Sequence, residues 1–212
     1  MSTAMSKHKQ KDNFRDLTIE ERNKIKNRTE EEARISWNKL SEDQKSTFKT
    51  SWFAGFWEGE GSITSSVKKI KTLRFGYQFL NEVSICQHVS GIHHLWWAKH
   101  NLFHDIGNIT YKLGSDATFT YQFSNTKALN KYFVPWYKEH VLPFVSVTQV
   151  DHWNKWVQLV ELKKTTANWD LTDVQKVAMI VYDLNSKKGR QRKVPLDDLL
   201  GELSAWQPTL KK

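Results

Sequence analysis

A chain of 212 residues with 39% hydrophobic and 13% aromatic residues has ample material for a packed core, which excludes disorder along its whole length. Its 32 Lys and Arg against 23 Asp and Glu give a formal charge of +9, a surplus that suits an anionic partner, nucleic acid first. A single cysteine, Cys86, excludes an intrachain disulfide and fits a reducing compartment, and no run approaches the roughly 18 apolar residues of a membrane span. The N-terminus lacks a signal-peptide core and is rich in acids, unlike a transit peptide. An intracellular protein is expected, in a bacterial cytoplasm or encoded in an organelle.

Residues 1 to about 16 are polar and expected to be loose. From 17 to 47 the chain reads as charged helix, an extension that leans on a core. Thr18 with Glu21, and Ser41 with Gln44, have the spacing of capping boxes. Ile25, Ala33, Trp37 and Leu40 give a thin apolar stripe. Residues 51 to 57 (Ser-Trp-Phe-Ala-Gly-Phe-Trp) are apolar on every side, which predicts a helix buried all round. The period then changes to two. Thr64, Ser66 and Lys68 point one way, Ile63 and Val67 the other. Arg74 to Gln87 reads as one long strand, with Phe75, Tyr77, Phe79, Val83 and Ile85 on one face and Gln78, Glu82 and Ser84 on the other. Cys86, within that run, reads as a small buried hydrophobe.

Residues 89 to 102 read as a helix. A hairpin follows, in which Ile109, Tyr111 and Leu113 alternate with Asn108, Thr110 and Lys112. Gly114-Ser115-Asp116 turns the chain, and Phe119, Tyr121 and Phe123 alternate with Thr118, Thr120, Gln122 and Ser124. Helices are predicted over 126 to 140 and from Asp151 to Lys164. The last third holds one more helix, with Thr172 and Gln175 as its capping box and Val174, Val177, Val181 and Leu184 as its stripe. The basic run Lys187, Lys188, Arg190, Arg192 and Lys193 follows, either a phosphate clamp or a solvated loop.

These elements predict an α+β protein. Its core, residues 48 to 165, runs α-β-β-α-β-β-α, flanked by a charged helical extension (1 to 47) and a helical C-terminal extension (166 to 212). An antiparallel sheet in such a fold covers one face with helices and leaves the other to solvent. That outer face carries Thr64, Ser66, Lys68, Gln78, Ser84, Thr110, Lys112, Thr118, Thr120 and Gln122, with Lys69, Lys71 and Arg74 at the hairpin end. Hydroxyl, amide and ammonium groups are what base edges and phosphates bond, so these are the candidate DNA-binding residues.

The segment Phe53-Ala54-Gly55-Phe56-Trp57-Glu58-Gly59-Glu60-Gly61 resembles the nine-residue signature of the LAGLIDADG homing endonucleases, with Glu where the family has Asp. The element order is the family's. "CQHVSGIHHL", "LGSDAT" and "VPWYKEHV" are similar to the I-Ceu type, encoded in an algal chloroplast large-subunit rRNA intron. The resemblance runs from about residue 50 to 165. It implies a site-specific double-strand endonuclease acting on a long, pseudo-palindromic duplex, with the 23S rRNA gene as the implied target.

The chemistry of the motif agrees with that role. Gly55 and Gly59 lie four apart on one helix face, where small residues let two backbones approach. One motif and no internal repeat make the second helix a second chain's, so a homodimer is expected, with Phe53, Gly55, Phe56 and Gly59 at its interface. The two-fold axis brings two copies of Glu60 together. Two carboxylates about 5 Å apart repel by roughly 3 kcal/mol at an effective dielectric of 20, which a divalent cation between them relieves. Glu60 and the Gly59 carbonyl are the candidate metal ligands, oxygen donors that suit Mg²⁺. Glu58 reads as structural.

The resemblance further implies that Gln87 orders water near the metals. The basic residue that many members carry after the equivalent of Pro143-Phe144 is missing, since Val145-Ser146-Val147-Thr148 stands there. The one after Gln87 is also missing, and His88 is the nearest candidate. Two alternatives stay open: a maturase-like protein on the same fold that binds its host intron RNA, and a DNA-binding protein that does not cut.

Overall fold

The computed structural model describes residues 14–185 and 194–205. Both N-terminal capping boxes form. Thr18 Oγ1 accepts from the Glu21 N–H at 3.2 Å while the Glu21 carboxylate accepts from the Thr18 N–H at 2.7 Å, and this opens α1 (Ile19–Asn38). Ser41 and Gln44 open α2 (Glu42–Thr47) in the same way.

A turn of wider π spacing (Phe48–Trp52) leads into α3 (Phe53–Glu60), β1 (Gly61–Lys69), β2 (Tyr77–His88), α4 (Ile92–Asn101), β3 (Asn108–Tyr111) and β4 (Thr118–Phe123). The chain continues through α5 (Thr126–Ala128), a second π turn (Leu129–Phe133), α6 (Val134–His140), α7 (Val147–Leu162), α8 (Leu171–Asn185) and α9 (Leu196–Ala205). The expected α-β-β-α-β-β-α order is present. The second π turn precedes Pro135, which has no N–H to return to a carbonyl one turn back.

The four strands form one antiparallel sheet in the order β1-β2-β4-β3. Ile63, Phe79, Val83, Ile85, Ile109, Phe119, Tyr121 and Phe123 are buried on its inner face. The helices cover them with Phe53, Trp57, Leu95, Phe103, Phe133, Trp136, Trp153 and Trp156, a core built largely of rings. Burying one side chain such as Phe53 contributes about 1.5–3 kcal/mol. Two polar residues are buried on the inner face: Ser65 donates to Asn81 Oδ1 at 2.7 Å, so each satisfies a group the other would leave buried and bare. α1 lies along α4, where Trp96 Nε1 donates to Thr29 Oγ1 (3.3 Å) and Trp97 Nε1 to the Ala33 carbonyl (2.8 Å).

Several expectations from periodicity are corrected. The stretch 51 to 57 is not buried all round: Trp52 is 42% exposed and Gly55 is open, while Phe53, Ala54 and Trp57 face inward. β2 begins at Tyr77, so Arg74 and Phe75 lie in the loop, as does Lys71; the chain turns at Gly76 with φ +70°. β3 ends at Tyr111, and Leu113 is 85% exposed at the turn rather than on the inner face. Cys86 is on the outer face, half-buried beside Thr120 Oγ1 (3.3 Å), because strand parity there overrides hydrophobicity.

Residues Phe14–Asp16, expected to be loose, form a 3-10 turn held by Phe14 against Tyr111 and Phe119. α7 starts at Val147 rather than Asp151, because Ser146 and Gln149 form a capping box there. α8 opens on Asp170, paired reciprocally with Asp173, instead of on Thr172 with Gln175; its stripe of Val174, Val177, Val181 and Leu184 is buried as expected. α9 is a second helix in the last third, where the sequence pattern predicts only one. The basic run from Lys187 to Lys193 lies outside the described residues.

Candidate nucleic-acid interface and metal-binding acid

β1 leaves α3 at Gly61. A Cβ there would stand 2.5 Å from the Trp57 carbonyl and from its ring, so only glycine lets the chain leave the helix over Trp57. That sharp exit puts Glu60, the last residue of α3, at the edge of the sheet. The Glu60 carboxylate is exposed and has no hydrogen bond or ion pair among the described residues. Glu58, two residues earlier and so on nearly the opposite side of the helix, is different: its Oε1 accepts from Gln149 Nε2 at 2.6 Å. Both acids oppose the helix dipole at a C-terminus, and only Glu58 has a partner to offset that. The Gly59 carbonyl belongs to the last turn of α3, whose carbonyls lack helical partners.

An unpartnered carboxylate beside an open carbonyl is a donor set that fits Mg²⁺ or Ca²⁺. Among the described residues no cluster of three or more His, Cys, Asp and Glu could hold a metal within one chain. Gly55 and Gly59 are exposed, and a Cβ built on either would meet nothing within 4 Å. The single chain thus gives no reason for glycine at these two helical positions. An open groove of about 520 Å³ runs beside Gly55, lined also by Ser51, Ala54, Glu58, Glu139 and Phe144.

Gly61 pairs with Ile85, so Gln87 and His88 lie at the same end of the sheet as Glu60. The Gln87 side chain folds over Gly91, where a Cβ would come within 2.9 Å of it, and its Oε1 accepts from the His88 N–H at 2.8 Å. His88 caps the following turn: its Nδ1 accepts from the Ser90 N–H (3.3 Å) and lies 2.9 Å from Ser90 Oγ, leaving Nε2 as the open nitrogen. Lys155, in a cavity of about 280 Å³ between α3, α7 and α8, is paired with Asp151 (2.8 Å) and Asp183 (2.7 Å).

The register lays out the outer face in rows. Ser62, Ser84, Gln122 and Asn108 stand side by side; so do Cys86, Thr120 and Thr110. Thr64 faces Glu82, Ser66 faces Leu80, Lys68 faces Gln78, and His88 faces Thr118. Of the sequence-predicted residues, Thr64, Ser66, Lys68, Gln78, Ser84, Thr110, Thr118, Thr120 and Gln122 share this surface. Lys112 continues the hairpin, its N–H donating to the Thr118 carbonyl at 2.8 Å. Lys71 and Arg74 lie in the β1–β2 loop rather than on a strand, with the Arg74 guanidinium 5.0 Å from the Phe75 ring.

Lys69 does not belong there. It lies on the inner side, where its ammonium and the Tyr77 hydroxyl both bond Glu202 of α9. Without that helix in the sequence-based prediction, this anchor goes unseen. Ser62 and Asn108 also belong to the outer face, as their alternation with Ile63 and Ile109 indicates.

Residues 53–157 match the family model described as LAGLIDADG endonuclease. A curated relative, DNA endonuclease I-CeuI of Chlamydomonas moewusii, is 32% identical over 140 residues; the match covers 66% of this chain and 63% of that protein's length. Among solved structures, the group I intron-encoded homing endonuclease I-CeuI complexed with DNA superposes with a TM-score of 0.71 at 26% identity, covering 87% of this chain and 94% of that one. An archaeal intron-encoded homing endonuclease, I-Vdi141I, complexed with DNA, shares the fold at a TM-score of 0.64 and 22% identity, covering 73% and 94%. On the match of its residues 53–157 to the family model, its identity to I-CeuI and its superposition on that enzyme's fold, the chain belongs to the LAGLIDADG endonuclease family.

Proposed function

We propose that the protein is an intron-encoded homing endonuclease that dimerises through α3 and makes a site-specific double-strand break in a long, pseudo-palindromic DNA target, the 23S rRNA gene being the leading candidate. Residues 48–165 act as the cutting core, and 1–47 and 166–212 as extensions. One observation carries this reading most directly. α3 has one apolar side buried and a glycine side open, and it ends in a carboxylate with no partner among the described residues, beside a polar sheet face bearing Lys68 and flanked by Lys112.

A second copy on the two-fold would meet the glycine side backbone to backbone and set two Glu60 carboxylates together. Glu60 and the Gly59 carbonyl would then hold the divalent cation. When bound there, Mg²⁺ supplies phosphate polarisation, leaving-oxygen stabilisation and activation of water. The sheet residues would grip and orient the duplex, and Gln87 with the open Nε2 of His88 would order water near the metal. The DNA bound in the relatives' complexes supports the same partner here. A single cysteine suits an intracellular setting, and among the described residues no helix is long and apolar enough to cross a membrane.

A second reading has a specific observation behind it. No lysine or arginine occupies 145 to 148, His88 is engaged as a cap, and Lys155 is tied to two aspartates. A maturase-like protein that binds its host intron RNA, or a DNA binder that does not cut, fits that arrangement. Incubation with Mg²⁺ and a plasmid carrying an intronless large-subunit rRNA gene separates them. Linear product with Mg²⁺ and none with EDTA supports the endonuclease; binding without any cleavage favours the second reading.

A further inference from the structure

Glu82 is a group on the outer sheet face that neither packing nor phosphate binding explains. It lies mid-strand in β2, opposite Thr64, between the Ser66–Leu80 and Ser62–Ser84 rows. It is the sole acid among the outward-facing residues of the four strands. Its side chain is half-buried, burial pushes its pKa up, and it has no hydrogen bond or ion pair among the described residues. A partly desolvated carboxylate without a donor is costly, and structures rarely keep one without a use.

The surface around it is the proposed DNA face, and the role assigned to Glu82 rests on that proposal. Phosphate oxygens only accept hydrogen bonds, so they repel Glu82. In the major groove the donors are the N4 amino group of cytosine and the N6 amino group of adenine. Adenine places its N7 acceptor beside that amino group, where it would face the second carboxylate oxygen. Cytosine places a C–H there. Guanine and thymine offer acceptors and repel the carboxylate outright, which is discrimination by penalty as well as by bonding.

We propose that Glu82 is a specificity-determining residue that accepts a hydrogen bond from the N4 amino group of one cytosine in each half-site. A glutamine in its place would present a donor and an acceptor side by side, the pattern that matches adenine N7 and N6. Glu82→Gln should therefore convert the preferred base from cytosine to adenine, and Glu82→Ala should erase the preference.

The test is selection from a pool of randomised DNA duplexes by the full-length wild type, Glu82→Gln and Glu82→Ala, without divalent cation so that nothing is cut. Melting curves check that the variants remain folded. The expected result is a cytosine at one position per half-site for the wild type, adenine for Glu82→Gln and no base for Glu82→Ala. In competition on the selected duplex, exchanging that cytosine should weaken wild-type binding by about 5- to 150-fold. An unchanged base preference in both variants, or a change at a position where the wild type prefers another base, overturns the assignment while the DNA face stands. A wild type that enriches no sequence overturns both.

Discussion

The Gln149 side chain joins two elements at once. Its Nε2 donates to Glu58 Oε1 at 2.6 Å, and its Oε1 accepts from the Ser146 N–H at 2.9 Å, closing the capping box of α7. One amide therefore starts α7 and fixes the acid two residues before the foot of α3. Glu58 is spoken for; Glu60, two residues on, is not.

That division of labour predicts unequal effects. Gln149→Ala removes the reciprocal half of a capping box and leaves Glu58 bare at a helix C-terminus, at a cost of about 1 kcal/mol in urea unfolding. Glu58→Gln keeps an oxygen for Gln149 and should lower cleavage by no more than about tenfold, under the ~1.4 kcal/mol that a tenfold change represents. A loss from Glu58→Gln as large as that from Glu60→Gln would make Glu58 a metal ligand too.

Gly55→Ala gives opposite signs for two states of the protein. In the single chain the new methyl meets nothing within 4 Å, and alanine favours a helix over glycine by about 1 kcal/mol. In a dimer whose α3 helices touch at this glycine, the same methyl pushes the backbones apart. Sedimentation should show a weakened dimer, with the monomer's melting unchanged or raised. An unaltered dimer would remove Gly55 from the interface.

Lys68 and Lys112 should act on phosphates. Replacing either with alanine should weaken binding to every sequence alike and reduce the slope of log K against log salt by about one per subunit, about two per dimer. The slopes come from filter binding at several salt concentrations. If Lys112→Ala leaves slope and affinity untouched, the hairpin side of the sheet is not the DNA face.

His94 sits against Trp52 (4.2 Å) and His93 (3.8 Å) on the flank of α3. Burial first, then the His93 imidazole, push its pKa down to about 4 from the ordinary 6.5, and burial lowers His93 as well. The unfolded chain then binds more protons, so stability is complete above about pH 6.5 and declines as pH falls toward 4. Urea midpoints at pH 7.5 and 4.5 should show the decline, and His94→Gln should reduce it. The same drop in that variant would assign the acid sensitivity to other groups.

The sheet, its two faces and both N-terminal caps were legible because alternation and cap spacing are local signals, as in Ile63-Thr64 and Thr18-Glu21. Glu60 stands out in the sequence as a glycine-flanked acid at the end of an oily helix, and it is exposed there. What escaped depended on distant partners. Lys69 reads as a phosphate contact until Glu202, 133 residues away, takes its ammonium to the other side. Cys86 reads as core by composition, yet strand parity turns it outward. The helix over 51–57 reads as wholly buried because it has no polar side, yet Trp52 and Gly55 are exposed in the single chain. The cap that His88 Nδ1 forms on the Ser90 N–H belongs to the turn after β2, which strand alternation does not show.

The central claim is that Glu60 anchors the catalytic metal and nothing else depends on it. Glu60→Gln keeps the size of the side chain, and no protein contact is lost, because the carboxylate has none among the described residues. Folding and dimerisation should hold, and DNA affinity should hold or rise as negative charge leaves the phosphate side. Cleavage should fall by about three orders of magnitude or more, since metal stabilisation is worth several kcal/mol and each ~1.4 kcal/mol is tenfold. The measurement pairs gel-shift affinity without metal and single-turnover cleavage with Mg²⁺ on one duplex, for wild type and variant. Tight binding with cleavage nearly abolished is the predicted result; near-normal cleavage by Glu60→Gln would contradict the account.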